Sequence, residues 1–265
     1  MSDIDTPRVA VEVRDSIGWI TFSNPARRNA VTLDMWRSLP TVLDQLEAVP
    51  NVRVVVLRGA GESSFISGAD ISEFEEYRSA LDAIARYDRI AGDAQTRLYN
   101  FAKPTVAMVR GACYGAGVSL AACCDVRLAS DQARFAIPAA KLGLGYRAAG
   151  IKKLIDLIGP ARTLDLFYSA EAITAARAYE IGLVEHVVPD ETLHDFVVRY
   201  CGRIARNAPL TLRAAKTAAR EIARAADNYD QELCNRLVQG CFVSEDYAEG
   251  RRAFREKRTP KFRGC

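Results

Sequence analysis

Two short stretches of small residues have the composition of a site that handles negative charge. They are "SGAD" at 67–70 and "GAG" at 115–117. Each follows an apolar run that reads as a buried strand, 52–59 and 104–111. Small residues leave backbone N–H groups bare and let a ligand approach closely. If both stretches lie at one edge of a sheet, two N–H donors converge on one point as an oxyanion hole. One such donor is typically worth ~3–4 kcal/mol of transition-state stabilisation. The plainer alternative is a pair of tight turns, since glycine-rich turns are common. Just inside the helix that "GAGVSLAACCD" opens stands Ser119. A carboxylate there would be a catalytic base; serine gives the anion cradle without one.

The composition narrows the setting. The 265 residues are 49% hydrophobic and 26% charged, a globular balance that suits one large domain with a helical appendage. A net charge of +3 is too small for a nucleic-acid protein, but suits a mildly basic pocket for an anionic ligand. The seven cysteines are odd in number, form no Cys-x-x-Cys pair and include the adjacent Cys123 and Cys124. Reduced thiols are expected. The acidic N-terminus has no apolar core of a secretory signal, and no run reaches the ~18 apolar residues of a membrane helix. The expectation is a cytoplasmic enzyme with no membrane or nucleic-acid partner. Only His186 and His194 are available as histidines. Neither a Ser–His–Asp triad nor a metal site is expected from them.

The elements that must position these residues follow from periodicity. Val9, Val11 and Val13 alternate as a strand, "DSIG" turns, and "WITFS" returns as a hairpin partner. "TLDMWRSLPTVLDQLEA" is a helix that Pro40 should kink or divide. After the 52–59 strand comes a loop through "SGAD". Helix then runs from about residue 72 to 101, followed by the 104–111 strand, a helix from about Gly117 and a strand at 125–130. Strands alternating with helices argue for an α/β core. Beyond about residue 151 the chain is mainly helical, with one short strand at "EHVVP". Ser244 is the expected N-cap of a last helix, acidic at its start and basic at its end. The expected division is a core over 1–200 and a helical region over 201–265 that docks onto a neighbouring subunit.

Several motifs together resemble one family. They are "NPARRNAVTLDM", "FISGADISEF", "GACYGAGVSLAACCDVRLAS", "FAIPAAKLGLGY", "AARAYEIGLVEHVVP" and "FREKRTP". In this order and spacing, across nearly the whole chain, they resemble the crotonase superfamily, the enoyl-CoA hydratase/isomerase group. The resemblance implies the crotonase (ClpP-like) spiral of ββα units, with a C-terminal helical region that forms a trimer or a dimer of trimers. It implies an acyl-CoA thioester as substrate, its enolate oxygen held by the N–H groups of Ala69 and Ala116. It needs no cofactor, coenzyme A being the carrier part of the substrate, and no metal. The matching CoA positions are Arg27, Arg28 and Ala30, then Gly68, Ala69 and Ile71. Phe254 and Lys257 match residues that reach the CoA of an adjacent subunit. Each arginine taken alone reads as a solvated surface charge before a phosphate partner.

The chain departs from the hydratase pattern at two positions. The hydratase glutamates match Ser119 and Ala139 here. Hydration needs a positioned base and acid, each typically worth ~10²–10⁴-fold. Tyr146 and Arg147, in the pocket-lining segment "LGLGYRAAG", remain as polar groups. A tyrosine at that place and the C-terminal sequence resemble the family's methylmalonyl-CoA decarboxylases. The leading expectation is therefore a lyase that decarboxylates a malonyl-type acyl-CoA, because loss of CO₂ needs an enolate hole but no base. Tyr146 would orient the carboxylate or a water, unless it is only a packed aromatic. The alternatives are a hydratase or isomerase with an unrecognised base, and a non-catalytic acyl-CoA binding subunit. Asp70, Glu73 and Glu76 follow the first loop and read as helix caps and solvent-facing charges before catalytic groups.

Overall fold

The computed structural model describes residues 6–73, 81–224 and 230–265. The chain opens as the expected hairpin: β1 (Arg8–Arg14) pairs antiparallel with β2 (Ile17–Ser23). Helix α1 (Leu33–Ala48) then crosses over, so that β3 (Val54–Gly59) lies parallel to β2. Thr32 caps α1 through a bond from the Met35 N–H. Pro40 does not divide this helix. It removes one N–H from the helical ladder, while the buried stripe Trp36, Leu39, Leu43 and Leu46 holds the axis on the core.

From β3 the chain repeats one pattern. A strand in a large sheet turns into a short strand in a second sheet, and a helix returns. The units are β3 with β4 (Ser64–Ile66) and α2 (Leu81–Tyr99), then β5 (Thr105–Val109) with β6 (Ala112–Tyr114) and α3 (Ala116–Cys123). Next come β7 (Val126–Ser130) with β8 (Arg134–Ala136) and α4 (Ala148–Ser169), which kinks at Gly159 ahead of Pro160. The strand β9 (Ile173–Thr174), the helix α5 (Ala175–Glu180) and β10 (His186–Val188) complete the sheets. The large sheet has the order β1-β2-β3-β5-β7-β10 and the small one β4-β6-β8-β9. This is an α/β spiral of ββα units, as the resemblance implied.

The near-continuous apolar strands are buried on both faces. Val55, Leu57, Ala107 and Val109 join one core with α1, α2 and α3. Val54, Val56, Val106 and Met108 face a second, smaller core under α6 (Leu193–Ala205). The side-chain period of two assigns alternate residues to the two cores.

Helix α6 runs across the expected boundary at 200/201. The C-terminal region, α7 (Pro209–Arg224), α8 (Gln231–Phe242) and α9 (Glu245–Arg255), buries few side chains, Ala214, Cys234, Asp246 and Ala253 among them. It is tied to the spiral by polar links instead. Lys216 and Arg220 of α7 pair with Asp125 at 2.8 and 2.5 Å, and the Arg53 guanidinium donates to the Phe262 carbonyl. Ser244 caps α9 as expected, accepting from the Tyr247 N–H at 3.1 Å. No described helix is long and apolar enough to cross a membrane.

Candidate active site

The two small-residue loops leave neighbouring strands. β4 and β6 are parallel partners, and 67–70 and 115–117 follow their C-terminal ends. The preceding elements are thus these three-residue strands rather than the long apolar runs read from the sequence. Gly115 takes φ +47°, which turns the chain into α3. A side chain built on Gly115 would come within 4.0 Å of the Gly68 Cα, so the loops nearly touch.

Val31 bridges Ala69 in parallel register: the Val31 N–H donates to the Gly68 carbonyl and the Asp70 N–H to the Val31 carbonyl. That pairing uses the groups on either side of Ala69 and turns its own N–H the other way. Ala116 is the first residue of α3, where N–H groups have no intrahelical acceptor. Among the described residues neither N–H donates to a backbone carbonyl. Both alanines line one cavity of about 430 Å³, with Ser119, Ala139, Tyr146 and Arg147.

The first loop is held by the 24–30 segment. The Ser67 N–H and hydroxyl donate to the carbonyls of Arg28 and Arg27. Buried Asn29 donates to Ala60 and Ser64, and buried Asn24 to Ala30 and Asp70. This brings Arg27, Arg28 and Ala30 beside Gly68, Ala69 and Ile71. The two arginine side chains are exposed, as is Ile71, while Ala30 is buried.

Ser119 and Ala139 are buried in the cavity wall. No carboxylate replaces theirs at these two positions. Instead the Tyr146 hydroxyl meets Ser119 Oγ at 3.2 Å, and the Tyr146 ring packs edge-on against Phe167. Arg147 does not stand alone at the cavity. Its guanidinium lines the cavity while gripping the Asp88 carboxylate of α2 at 2.5 Å.

Asp70 and Glu73 are structural. Asp70 accepts from the Ser72 N–H and hydroxyl and from Asn24. Burial raises its pKa, but those bonds and the nearby Arg27 charge outweigh it, and the carboxyl titrates below its ordinary value. Glu73 caps α1 through the Leu33 N–H at 2.8 Å, rather than facing solvent. Glu76 lies outside the described residues.

Phe254 and Lys257 are not brought to this cavity within one chain. Phe254 lines a separate cavity of about 800 Å³ among α7, α8 and α9, and Lys257 follows α9. His186 packs on Phe196 and Tyr200, and His194 stacks on Trp19. Neither lines the site. Among the described residues no group of three His, Cys, Asp or Glu could hold a metal.

The sequence reading missed the contribution of α2, which supplies Tyr87, Asp88, Gly92 and Thr96 to the cavity. It also missed Lys153 of α4. Helical periodicity assigns such residues to a face but not to the ligand that face meets.

The model of the enoyl-CoA hydratase/isomerase family matches residues 12–265. The chain belongs to that family. It is 32% identical to the crotonyl-CoA hydratase of Syntrophomonas wolfei, over 96% of this chain and 97% of the relative. It is 34% identical to the 2,3-dehydroadipyl-CoA hydratase of Escherichia coli, over 92% and 94%. A crystal structure of an enoyl-CoA hydratase/isomerase family protein from Hyphomonas neptunium superposes with a TM-score of 0.91 at 32% identity, covering 98% of this chain and 99% of the other. Family membership makes this an acyl-CoA enzyme. The named relatives are hydratases, and the nearness to decarboxylases expected from the C-terminal half does not appear among them.

Proposed function

We propose that this family member holds the thioester oxygen of an acyl-CoA between the N–H groups of Ala69 and Ala116, and acts as an enoyl-CoA hydratase or isomerase. The observation that carries this is the pair of N–H groups without a backbone acceptor, on two residues that follow adjacent parallel strands and line one cavity. The relatives' names favour the hydratase class over the lyase expected at first. As water adds to the β-carbon, or as a proton leaves the γ-carbon, charge gathers on the thioester oxygen, where the two donors stabilise it. The proton work then falls to groups other than the two usual glutamates. Asp88, oriented by Arg147, is the half-buried carboxylate among those lining the cavity, and the Ser119–Tyr146 pair passes or holds a proton beside the α-carbon.

A second reading is favoured by that Ser119–Tyr146 pair, because two neutral hydroxyls suit decarboxylation of a malonyl-type acyl-CoA. The C–C bonding electrons move to the α-carbon as CO₂ leaves, the same N–H groups hold the enolate, and a proton is added afterwards. In either case Arg27, Arg28, Ala30, Gly68 and Ile71 take the CoA portion. Phe254 and Lys257 reach the CoA of a neighbouring subunit in a trimer or dimer of trimers. The enzyme works in the cytoplasm.

Mass spectrometry in D₂O tests these readings. The enzyme is offered crotonyl-, longer enoyl-, malonyl-, methylmalonyl- and ethylmalonyl-CoA. Addition of water, or a moved double bond carrying deuterium, is the expected result. A product lighter by CO₂ with one deuterium would replace it with the lyase. Bound but unreacted thioesters across the whole panel would favour a binding subunit.

A further inference from the structure

Ala149, Gly150 and Lys153 line the active-site cavity from one face of α4. Lys153 is half-buried there and also lines an adjoining cavity of about 320 Å³. Its ammonium donates to the Ala149 carbonyl at 3.3 Å and stands 5.5 Å from the centre of the Tyr99 ring. An ammonium has three donors, and among the described residues no carboxylate lies within 4.0 Å of this one. The neighbouring Lys152, by contrast, is paired with Asp156. The other charges at the cavity are accounted for: Arg147 and Asp88 neutralise each other, and Arg89 and Asp93 are exposed to solvent.

Lys153 stands one helical turn beyond Ala149 on the cavity-lining face of α4. Gly92 of α2 lines the same cavity, and a Cβ on it would meet nothing within 4 Å.

We propose that the cavity accepts an acyl group ending in a carboxylate, the mono-CoA thioester of a short dicarboxylic acid, with Lys153 pairing the free carboxylate. A half-buried cation with no carboxylate partner in the wall of an acyl pocket penalises a purely apolar chain and rewards an acidic one. This rests on the acyl-CoA reading above.

The test compares adipyl-CoA with hexanoyl-CoA by titration calorimetry. The two have equal chain length and differ in the terminal carboxylate; neither carries the double bond needed for turnover. Adipyl-CoA should bind about tenfold more tightly, as one charge-assisted contact allows. Lys153→Met should erase that preference and leave hexanoyl-CoA affinity within threefold, while Lys153→Arg keeps it. Equal affinities in the native enzyme, or a preference that survives Lys153→Met, would overturn the inference and leave the acyl-CoA reading standing. If neither thioester binds, both fall together.

Discussion

Gly117→Ala is the sharpest perturbation of the active-site geometry. Gly117 is the second residue of α3 and lies directly over β4. A Cβ there would stand 2.3 Å from the Ile66 carbonyl oxygen and 3.1 Å from Ile66 Cβ. Ordinary contact begins near 3.4 Å, so the start of α3 must retreat from β4 by about 1 Å. That movement separates Ala116, on α3, from Ala69, on the loop after β4. Overpacking of this kind costs ~1–3 kcal/mol, and alanine's better helix propensity returns ~1 kcal/mol of it. A melting point lower by several degrees follows, at ~2–4 °C per kcal/mol in a chain of this size. The effect on kcat is larger, because a 1 Å misplacement costs ~10²-fold and full loss of one donor ~10²–10³-fold. Calorimetric melting and steady-state turnover of the acyl-CoA that the panel selects measure the two effects. Gly240→Ala on α8 is the control, since its Cβ meets nothing within 4 Å. Native kcat and native melting point in Gly117→Ala would refute the close-packing argument.

Tyr146→Phe removes the hydroxyl bonded to Ser119 and should lower kcat at least tenfold with CoA affinity unchanged; parallel kinetics and calorimetry check this. Asp125→Asn leaves Lys216 and Arg220 without their counter-charge and should cost about 3 kcal/mol in urea unfolding. Burial raises the Asp125 pKa, but the charges and hydrogen bonds of Lys216 and Arg220 win and hold it below its ordinary value. Its stabilising contribution is therefore present above about pH 4 and fades as the pH falls below that. The urea midpoint of the native protein should drop between pH 5 and 3 by more than that of Asp125→Asn. The thiols of Cys113, Cys123, Cys124 and Cys201 are buried and their pKa values raised, whereas Cys241 is half-buried and Cys265 exposed. Ellman's reagent should label Cys241 and Cys265 first, and those four only on unfolding.

Much of this architecture was legible in residue spacing. The hairpin, α1, the buried strands at β3 and β5 and the capped last helix all carry apolar periods or caps long enough to read. The small sheet does not. β4, β6 and β8 have three residues each, too short for a period of two, yet the loops that carry Ala69 and Ala116 leave β4 and β6. The proposed N–H pair was legible only as two glycine-bearing stretches, which the pairing of β4 with β6 brings side by side. The Asp88–Arg147 pair joins residues 59 apart in sequence. The Glu73 cap on α1 bridges 40 residues. Neither leaves a local signal, because through-space pairing is set by the spiral and not by neighbours in the chain. Pro40 is the opposite case, where a strong local rule would permit a break and the buried face of α1 keeps one helix through it.

The most direct measurement is the infrared spectrum of hexanoyl-CoA labelled with ¹³C at the thioester carbonyl and bound to the enzyme. Two N–H donors on one oxygen weaken the C=O bond. The stretch should move to lower frequency on binding, and Gly117→Ala should lose most of that movement. A bound thioester whose carbonyl absorbs as it does in water, in the native enzyme and in Gly117→Ala alike, would contradict the oxyanion hole at Ala69 and Ala116.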